Sequence, residues 1–423
     1  MTLVWVYAAR EGVSAKQSLG IFTSRIAGRG VGRNVVLLGL TSFFTDISSE
    51  MVSSTLPLYA IFFLGFTPLQ FGLLDGLYQG SSAVLRIVGG VTADRLRRHK
   101  EVATAGYALS AVAKVGLLAA GPAFWSIAAA ILTDRAGKGI RTAPRDALIS
   151  LSAEPPRLAS AFALHRALDT LGALAGPLVA VAILTAAPRA FDAVFLTSLC
   201  FAIVGLSVIG LFVKNRARPA PGDHERSKTK LSDLMRQRAF MSLVIAAVLL
   251  ALATVSDGFL YVVLQRRLDL AAGVFPLLSV VTALVYFALA LPAGRLADKV
   301  GRVRVFLGGY ALLPVVYVLT ISPALTPGSG LAALIVFGIF YAATDGVLAA
   351  LASSLLPPDV RASGLAMLGT AVAVTRIAAS VIFGALWSVG GLELAMFSFA
   401  ASGIAAVAAG AVILRRVGSA HAW

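Results

Sequence analysis

The residues best placed to do chemistry lie in Leu132–Ser150, LTDRAGKGIRTAPRDALIS, which follows the apolar run Phe124–Leu132. Asp134, Lys138, Arg141 and Arg145 fall at i, i+4, i+7 and i+11, so a helix carries them on one face. Arg135 and Asp146 flank that stripe. A second cluster, SFFTDISSEM, sets Asp46 and Glu50 one helical turn apart. Two carboxylates this close in a low-dielectric site cannot both ionise cheaply, so such a pair suits reversible proton uptake. The plainer alternative is that both carboxylates are permanently paired with cations and hold helices together.

What sets the stakes is the medium. The chain is 58% hydrophobic and 13% charged, with mean hydropathy +0.87. A soluble domain carries about twice that charged fraction, so the composition is that of an all-α polytopic membrane protein. A charge at bilayer depth costs at least about 2.5 kcal/mol and normally faces a protein interior or a wet cavity. The single cysteine, Cys200, excludes an internal disulfide and a cysteine metal site, and the four histidines lack zinc spacing. No cofactor and no metal are expected. The formal charge of +16 does not indicate nucleic acid, because the excess sits in loops on one side of the membrane.

A span needs about 20 residues. Apolar segments bounded by loop signals predict twelve, over about 34–63, 68–91, 102–120, 123–149, 159–185, 192–213, 239–264, 272–293, 303–322, 330–352, 362–387 and 392–414. With the N-terminus inside, 25 Lys/Arg fall in inner segments, whereas Arg189, Arg266 and Arg267 are the outer ones. The positive-inside rule then predicts both termini in the cytoplasm. The basic stretch 1–33 lacks the core and cleavage site of a secretory signal and reads as a cytoplasmic tail. Pro, Gly and mixed charge make 214–238 a linker between six-span units 34–213 and 239–414, with 415–423 a short tail.

The two halves also repeat. Gly90–Lys100 is GVTADRLRRHK and Gly294–Arg304 is GRLADKVGRVR, each following the second span of its half. A half-chain repeat points to a two-bundle transporter with its site between the bundles near midplane. The second copy, Gly294-x-Leu-Ala-Asp298-Lys-Val-Gly301-Arg302, resembles the loop signature of the major facilitator superfamily (MFS). The first departs from it, with Thr92 for the usual Leu and Arg97 for the usual Gly. This resemblance implies the MFS fold, two pseudo-symmetric six-helix bundles, and alternating access. It also implies that Asp94, Arg95, Asp298 and Arg302 latch the cytoplasmic side, as charge-assisted pairs that form in one state and break in the other. Arg145 and Asp146 are candidates for the same gate.

Span 4 carries a second resemblance. Arg135-Ala-Gly-Lys138-Gly139 is similar to the R-x-x-q-G signature of MFS proton antiporters, with Lys for Gln, which implies proton transfer at Arg135. In span 5, Gly172-Ala-Leu-Ala-Gly176-Pro177 resembles the end of their G-x-x-x-G-P motif; ordinary close packing of small residues explains it nearly as well. SSEM with DRxGKGxRxxPRDAL resembles a prokaryotic branch of the superfamily that specifies no substrate. Further ionisable residues inside spans are Asp75, Arg86, Lys114, Arg166, Asp169, Asp257, Asp345 and Arg376. For Asp75 and Lys114, pairing across helices is the expectation. Tyr261, Tyr286, Tyr310 and Tyr341 could line a cavity.

The expected proton and solute residues are thus Asp46, Glu50, Arg86, Asp134, Arg135, Lys138, Arg166, Asp169, Asp257, Asp345 and Arg376. Charge is dense in the first half and sparse in the second, which suggests proton handling in the first bundle and solute shaping in the second. Membrane-interior cations and acids tie at eight each, favouring internal pairing, although span 4 tilts toward an anionic or zwitterionic group. The function read from this is proton-coupled secondary transport of a small organic solute, with export by antiport ahead of import by symport of an anion or a metal chelate such as a siderophore. The expected setting is the prokaryotic inner membrane, with lipid, solute and protons as partners and a monomer as the working unit. An enzyme is not expected, for no GxSxG, HExxH or paired histidine ligands occur. Primary active transport and a sensor role are not expected either, for no P-loop occurs and the linker and tails are short for a sensor domain.

Overall fold

A computed structural model of the chain describes residues 32–96, 98–154, 157–215, 237–357 and 360–419. The expected tail 1–33 and linker 214–238 lie almost wholly outside these residues. The described part is nearly all helix. In the first half, α1 (Arg33–Leu58), α2 (Pro68–Leu96), α3 (His99–Ala119), α4 (Phe124–Ser152), α5 (Leu158–Ala186) and α6 (Phe191–Phe212) follow one another. In the second, α7 (Arg238–Leu252), α8 (Asp257–Leu268), α9 (Leu277–Val300), α10 (Arg302–Ala311), α11 (Leu313–Ile321), α12 (Pro327–Leu355) and α13 (Arg361–Ser419) complete the chain.

Nine helical stretches among the described residues are long and apolar enough to cross a membrane. Neither α2 nor α4 is among the nine, although each runs to 29 residues, for α4 carries the charged stripe. Several stretches are interrupted, Arg302–Ile321 among them, where α10 gives way to α11 at Leu312. The π-helical turn Tyr59–Phe63 ends α1. The expected span 239–264 breaks at Ala253–Ser256, where the Val255 N–H donates to Tyr317 Oη at 2.9 Å and the Ser256 hydroxyl caps α8. Within α13, Gly391 adopts φ 82°, ψ 171°, so two helices meet there at an angle that glycine alone accepts readily.

Small residues let the helices approach. A Cβ on Gly137 would lie 2.5 Å from the Gly106 carbonyl oxygen on α3, and one on Gly139 would lie 2.7 Å from that of Ser82 on α2. On α5, Gly172 and Gly176 stand the same way to the Phe43 and Ile47 carbonyls of α1, at 2.4 and 2.7 Å. These close backbone contacts are how helices associate without a hydrophobic drive between them. Pro144 and Pro177 sit inside α4 and α5, which run on as single helices.

The two halves meet at the end away from Arg33 and Lys214. There the Leu69 N–H donates to Ser388 Oγ at 3.0 Å, and a Cβ on Gly384 would lie 2.4 Å from the Pro68 carbonyl oxygen. Farther along the same seam, α2 packs on α13 through Gly72, Gly76 and Gly80 against Ser380 and Ile377. The described ion pairs nearer the terminal end stay within one half: Arg302 with Asp298 at 2.9 Å, and Arg145 with Asp146 at 2.9 Å.

Candidate functional site

A cavity of about 480 Å³ lies between the halves. Its walls come from α1, α2 and α4 on one side and from α8, α9 and α12 on the other. These elements occupy the same ordinal places, first, second and fourth, among the stretches predicted to span in each half. The repeat legible in the sequence therefore reappears as a cavity with matching walls.

The α4 wall presents Arg135 and Lys138. Arg135 is 3% exposed and is fixed from two directions. Its Nε donates to Asp134 Oδ2 at 3.0 Å, its Nη2 donates to the same oxygen, and its guanidinium lies 3.9 Å from the Tyr78 ring centroid on α2. Lys114 on α3 donates to the other oxygen of Asp134. Asp134 is thus a buried anchor between two cations and not a cavity residue. Arg141 turns toward α3 as well, donating to Ser110 Oγ at 2.8 Å with its guanidinium 4.6 Å from the Tyr107 centroid.

The expectation of a single charged face on α4 is accordingly corrected. A helix with neighbours on several sides divides its polar residues among them: Asp134 and Arg141 face α3, Arg145 faces α1 and α5, and Arg135 with Lys138 reaches the cavity. Arg145 approaches Asp169 at 3.7 Å and donates to Ser42 Oγ at 3.3 Å.

Asp46 and Glu50 also part company. Glu50 lines the cavity and accepts from Ser53 Oγ at 2.5 Å. Asp46 instead neighbours the carboxyl group of Asp169 on α5, where α1 and α5 pack together. Beside this pair His165 is 4% exposed, and neither ring nitrogen has a hydrogen-bond partner among the described residues. The carboxyl pair sits outside the residues that line the cavity. Arg166, placed in the cavity by the sequence reading, is largely exposed and reaches Asp169 from outside at 3.6 Å. Arg86 is exposed and also outside the lining.

The opposite wall is acidic. Asp257, the first residue of α8, accepts from Tyr341 Oη, and Asp345 on α12 accepts from Tyr286 Oη at 3.3 Å. Tyr261 joins them, whereas Tyr310 packs against Phe306 and Phe340. Arg376 lies in a small recess that shares Gln79, Asp257 and Tyr341 with the cavity, and its Nε has no described partner. Asp75 lines the cavity at 6% exposure and accepts from Ser380 Oγ across the seam at 2.6 Å. The expected ion pair for Asp75 is replaced by this hydroxyl among the described contacts. Asp257, expected among the site residues, stands at a helix start capped by the Ser256 hydroxyl.

Of the expected gate residues, Arg95 is exposed and the side chain of Asp94 lies outside the described residues, as does Arg97. Asp298 and Arg302 pair one turn apart, and Arg302 also donates to the Ala350 carbonyl at 3.4 Å. Gly301 takes φ 110° in that turn.

Comparison with known proteins decides the family. The sequence profile of the Major Facilitator Superfamily matches residues 38–281 and 258–422. The chain belongs to this superfamily. An uncharacterised MFS-type transporter of Methanocaldococcus jannaschii is 32% identical over 369 residues, 85% of this chain and 90% of that one. An uncharacterised protein of Mycobacterium tuberculosis is 36% identical over 160 residues, 38% of each chain. Among solved structures, a variant of the nucleoside transporter NupG superposes with a TM-score of 0.77 at 12% identity, covering 90% of this chain and 100% of the other. A variant of the peptide transporter POT gives 0.76 at 16%, covering 92% and 95%. At these identities the likeness is one of fold, the MFS fold. Membership makes the chain an integral membrane protein and a secondary transporter of a small-molecule solute.

Proposed function

We propose that this MFS protein couples solute movement to protons by alternating access, exporting a small organic solute in exchange for protons. The observation that carries the coupling is the cluster of Asp169 with Arg145 at 3.7 Å, beside Asp46 and the buried His165 and outside the solute cavity. Two neighbouring carboxyl groups cannot both ionise cheaply, so one takes up a proton readily, and the ion pair of Arg145 with Asp169 favours its release. His165, one turn before Asp169, offers the next proton acceptor toward that pair. The solute occupies the separate cavity against Arg135 and Lys138. Antiport is preferred to symport on the partial antiporter signatures of α4 and α5. An anionic solute or chelate is the weaker reading, because Glu50, Asp75, Asp257 and Asp345 outnumber Arg135 and Lys138 among the described lining residues. The complete architecture in this reading has twelve crossings, both termini in the cytoplasm, and a monomer as the working unit.

The test uses protein reconstituted in liposomes with a trapped pH dye, challenged with organic acids, amino compounds, sugars and lipophilic cations under pH gradients of each sign. Antiport appears as solute-dependent alkalinisation or acidification opposite in direction to solute flux. Asp46→Asn and Asp169→Asn should remove proton movement while leaving solute exchange across equal pH. If both variants keep the proton signal, the carboxyl pair is not the coupling site.

A further inference from the structure

We propose that the cavity takes a zwitterionic solute, its ammonium on the Asp257–Asp345 wall and its carboxylate on the Arg135–Lys138 wall. The proposal rests on the reading of this cavity as the solute site. Its ground is the unequal way in which the two walls are already neutralised.

On the acidic wall, the described hydrogen bonds to Asp257 and Asp345 come from the tyrosine hydroxyls of Tyr341 and Tyr286. A phenol donates one hydrogen bond and leaves the carboxylate charge in place. The described ion pairs include neither acid. On the α4 wall, Asp134 is shared by two cations, Lys114 and Arg135, so that group keeps a net positive charge. The ammonium of Lys138, three residues on and lining the same cavity, appears in none of the described ion pairs or hydrogen bonds. The α4 face of the cavity is therefore cationic and the α8–α12 face acidic, with Glu50 and Arg376 as the nearby counter-charges. In a low-dielectric interior that arrangement is costly when empty and is relieved by one ligand that brings both complementary charges. A purely anionic ligand would add charge facing two acids, and a purely cationic one would leave Lys138 and Arg135 unanswered. The volume, about 480 Å³, suits a small organic molecule.

The test is binding to the full-length protein in detergent by isothermal calorimetry, with linear ω-amino acids of graded chain length, their N-acetyl derivatives and their methyl esters. N-acetylation removes the ammonium and esterification removes the carboxylate, with the chain unchanged. The best ω-amino acid should bind at least about tenfold tighter than either derivative, the worth of one charge-assisted hydrogen bond. Asp345→Asn should weaken the ω-amino acid and its ester and leave the N-acetyl form unchanged. Lys138→Gln should weaken the ω-amino acid and the N-acetyl form and leave the ester unchanged. Both side chains are partly exposed, and size-exclusion profiles matching the wild type keep folding out of the comparison. An N-acetyl acid or an ester that binds as tightly as its parent overturns the proposal, and so does a series in which nothing binds. Transport of a solute lacking an ammonium would sink this inference and leave the transport reading intact. Zwitterion binding with the expected pattern but no transport would do the reverse.

Discussion

Replacing Asp134 by Asn tests the anchor that holds the site. Lys114, Asp134 and Arg135 are 1%, 6% and 3% exposed, and the one carboxylate serves both cations. Asn keeps the shape and removes the charge, so no cavity term enters. Two buried cations then face each other without an anion, and breaking a buried pair in this way costs about 3–5 kcal/mol. The lower figure is already more than about a hundredfold in the folded-to-unfolded ratio. Lys114→Met, by contrast, leaves Asp134 and Arg135 as a neutral pair and keeps the apolar stem, so its loss should stay near about 1 kcal/mol. The double variant carries one cation in place of two and should recover at least about 1 kcal/mol relative to Asp134→Asn alone. The order of stability is therefore wild type, Lys114→Met, the double variant, then Asp134→Asn. Unfolding by SDS in mixed micelles, followed by tryptophan fluorescence, measures all four. A wild-type midpoint for Asp134→Asn, or a double variant less stable than that single one, would refute the anchoring role.

Three more outcomes follow from the contacts. Gly139→Ala places a Cβ 2.7 Å from the Ser82 carbonyl and should cost about 1–3 kcal/mol, whereas Gly346→Ala meets nothing within 4 Å and should be neutral or slightly stabilising in the same unfolding assay. In a Cys200→Ala background, the pair Leu69→Cys and Ser388→Cys should cross-link on oxidation and stop transport until reduced; free transport by the cross-linked protein would mean that this end need not open. Tyr78→Leu removes the ring under Arg135 and should cost about 0.5–2 kcal/mol, while Tyr78→Phe keeps most of that, as thermal unfolding of both variants in detergent would report.

Much of the helical order was legible because a bilayer demands about 20 apolar residues at a time. Expected stretches such as 159–185 and 192–213 differ from α5 and α6 by a residue or so at each end. The break at Ala253–Ser256 was not legible, because a Tyr317 hydroxyl from 62 residues away supplies the partner that lets the backbone leave the helix. The same limit governs the site. Periodicity put Asp46 and Glu50 on one face correctly enough to mark both, but the face is wide enough to meet α5 at one residue and the cavity at the other. Asp169 lies 123 positions from Asp46, and nothing local in either segment announces the other. The α4 stripe failed for a related reason: spacing along one helix cannot say how many neighbours that helix has. Residue type travelled better than direction, since the tyrosines singled out as lining candidates reach the cavity in three cases of four.

The closed end and the charged pairs divide the work of a two-state cycle. At the end away from Arg33, the halves are joined by backbone-close packing at Gly72, Gly80 and Gly384, by the Leu69–Ser388 bond, and by the buried bond from Ser380 to Asp75. Packing of this kind is short-ranged and all-or-none, so it opens as a seam and not by degrees. Asp75 is the place where that seam touches the cavity, because the same carboxylate that accepts from Ser380 also lines the solute site. A ligand ammonium that drew Asp75 away from Ser380 would remove a charged hydrogen bond of the seam at the moment the cavity fills. Differential contact of that sort is what a ligand needs in order to shift a conformational equilibrium. Ser380→Ala should therefore favour the opening of this end and weaken the dependence of that opening on solute. Distance measurements between spin labels at Leu69 and Ser388, with and without solute, report both quantities. An unchanged solute-dependent shift in Ser380→Ala would separate the seam from the site.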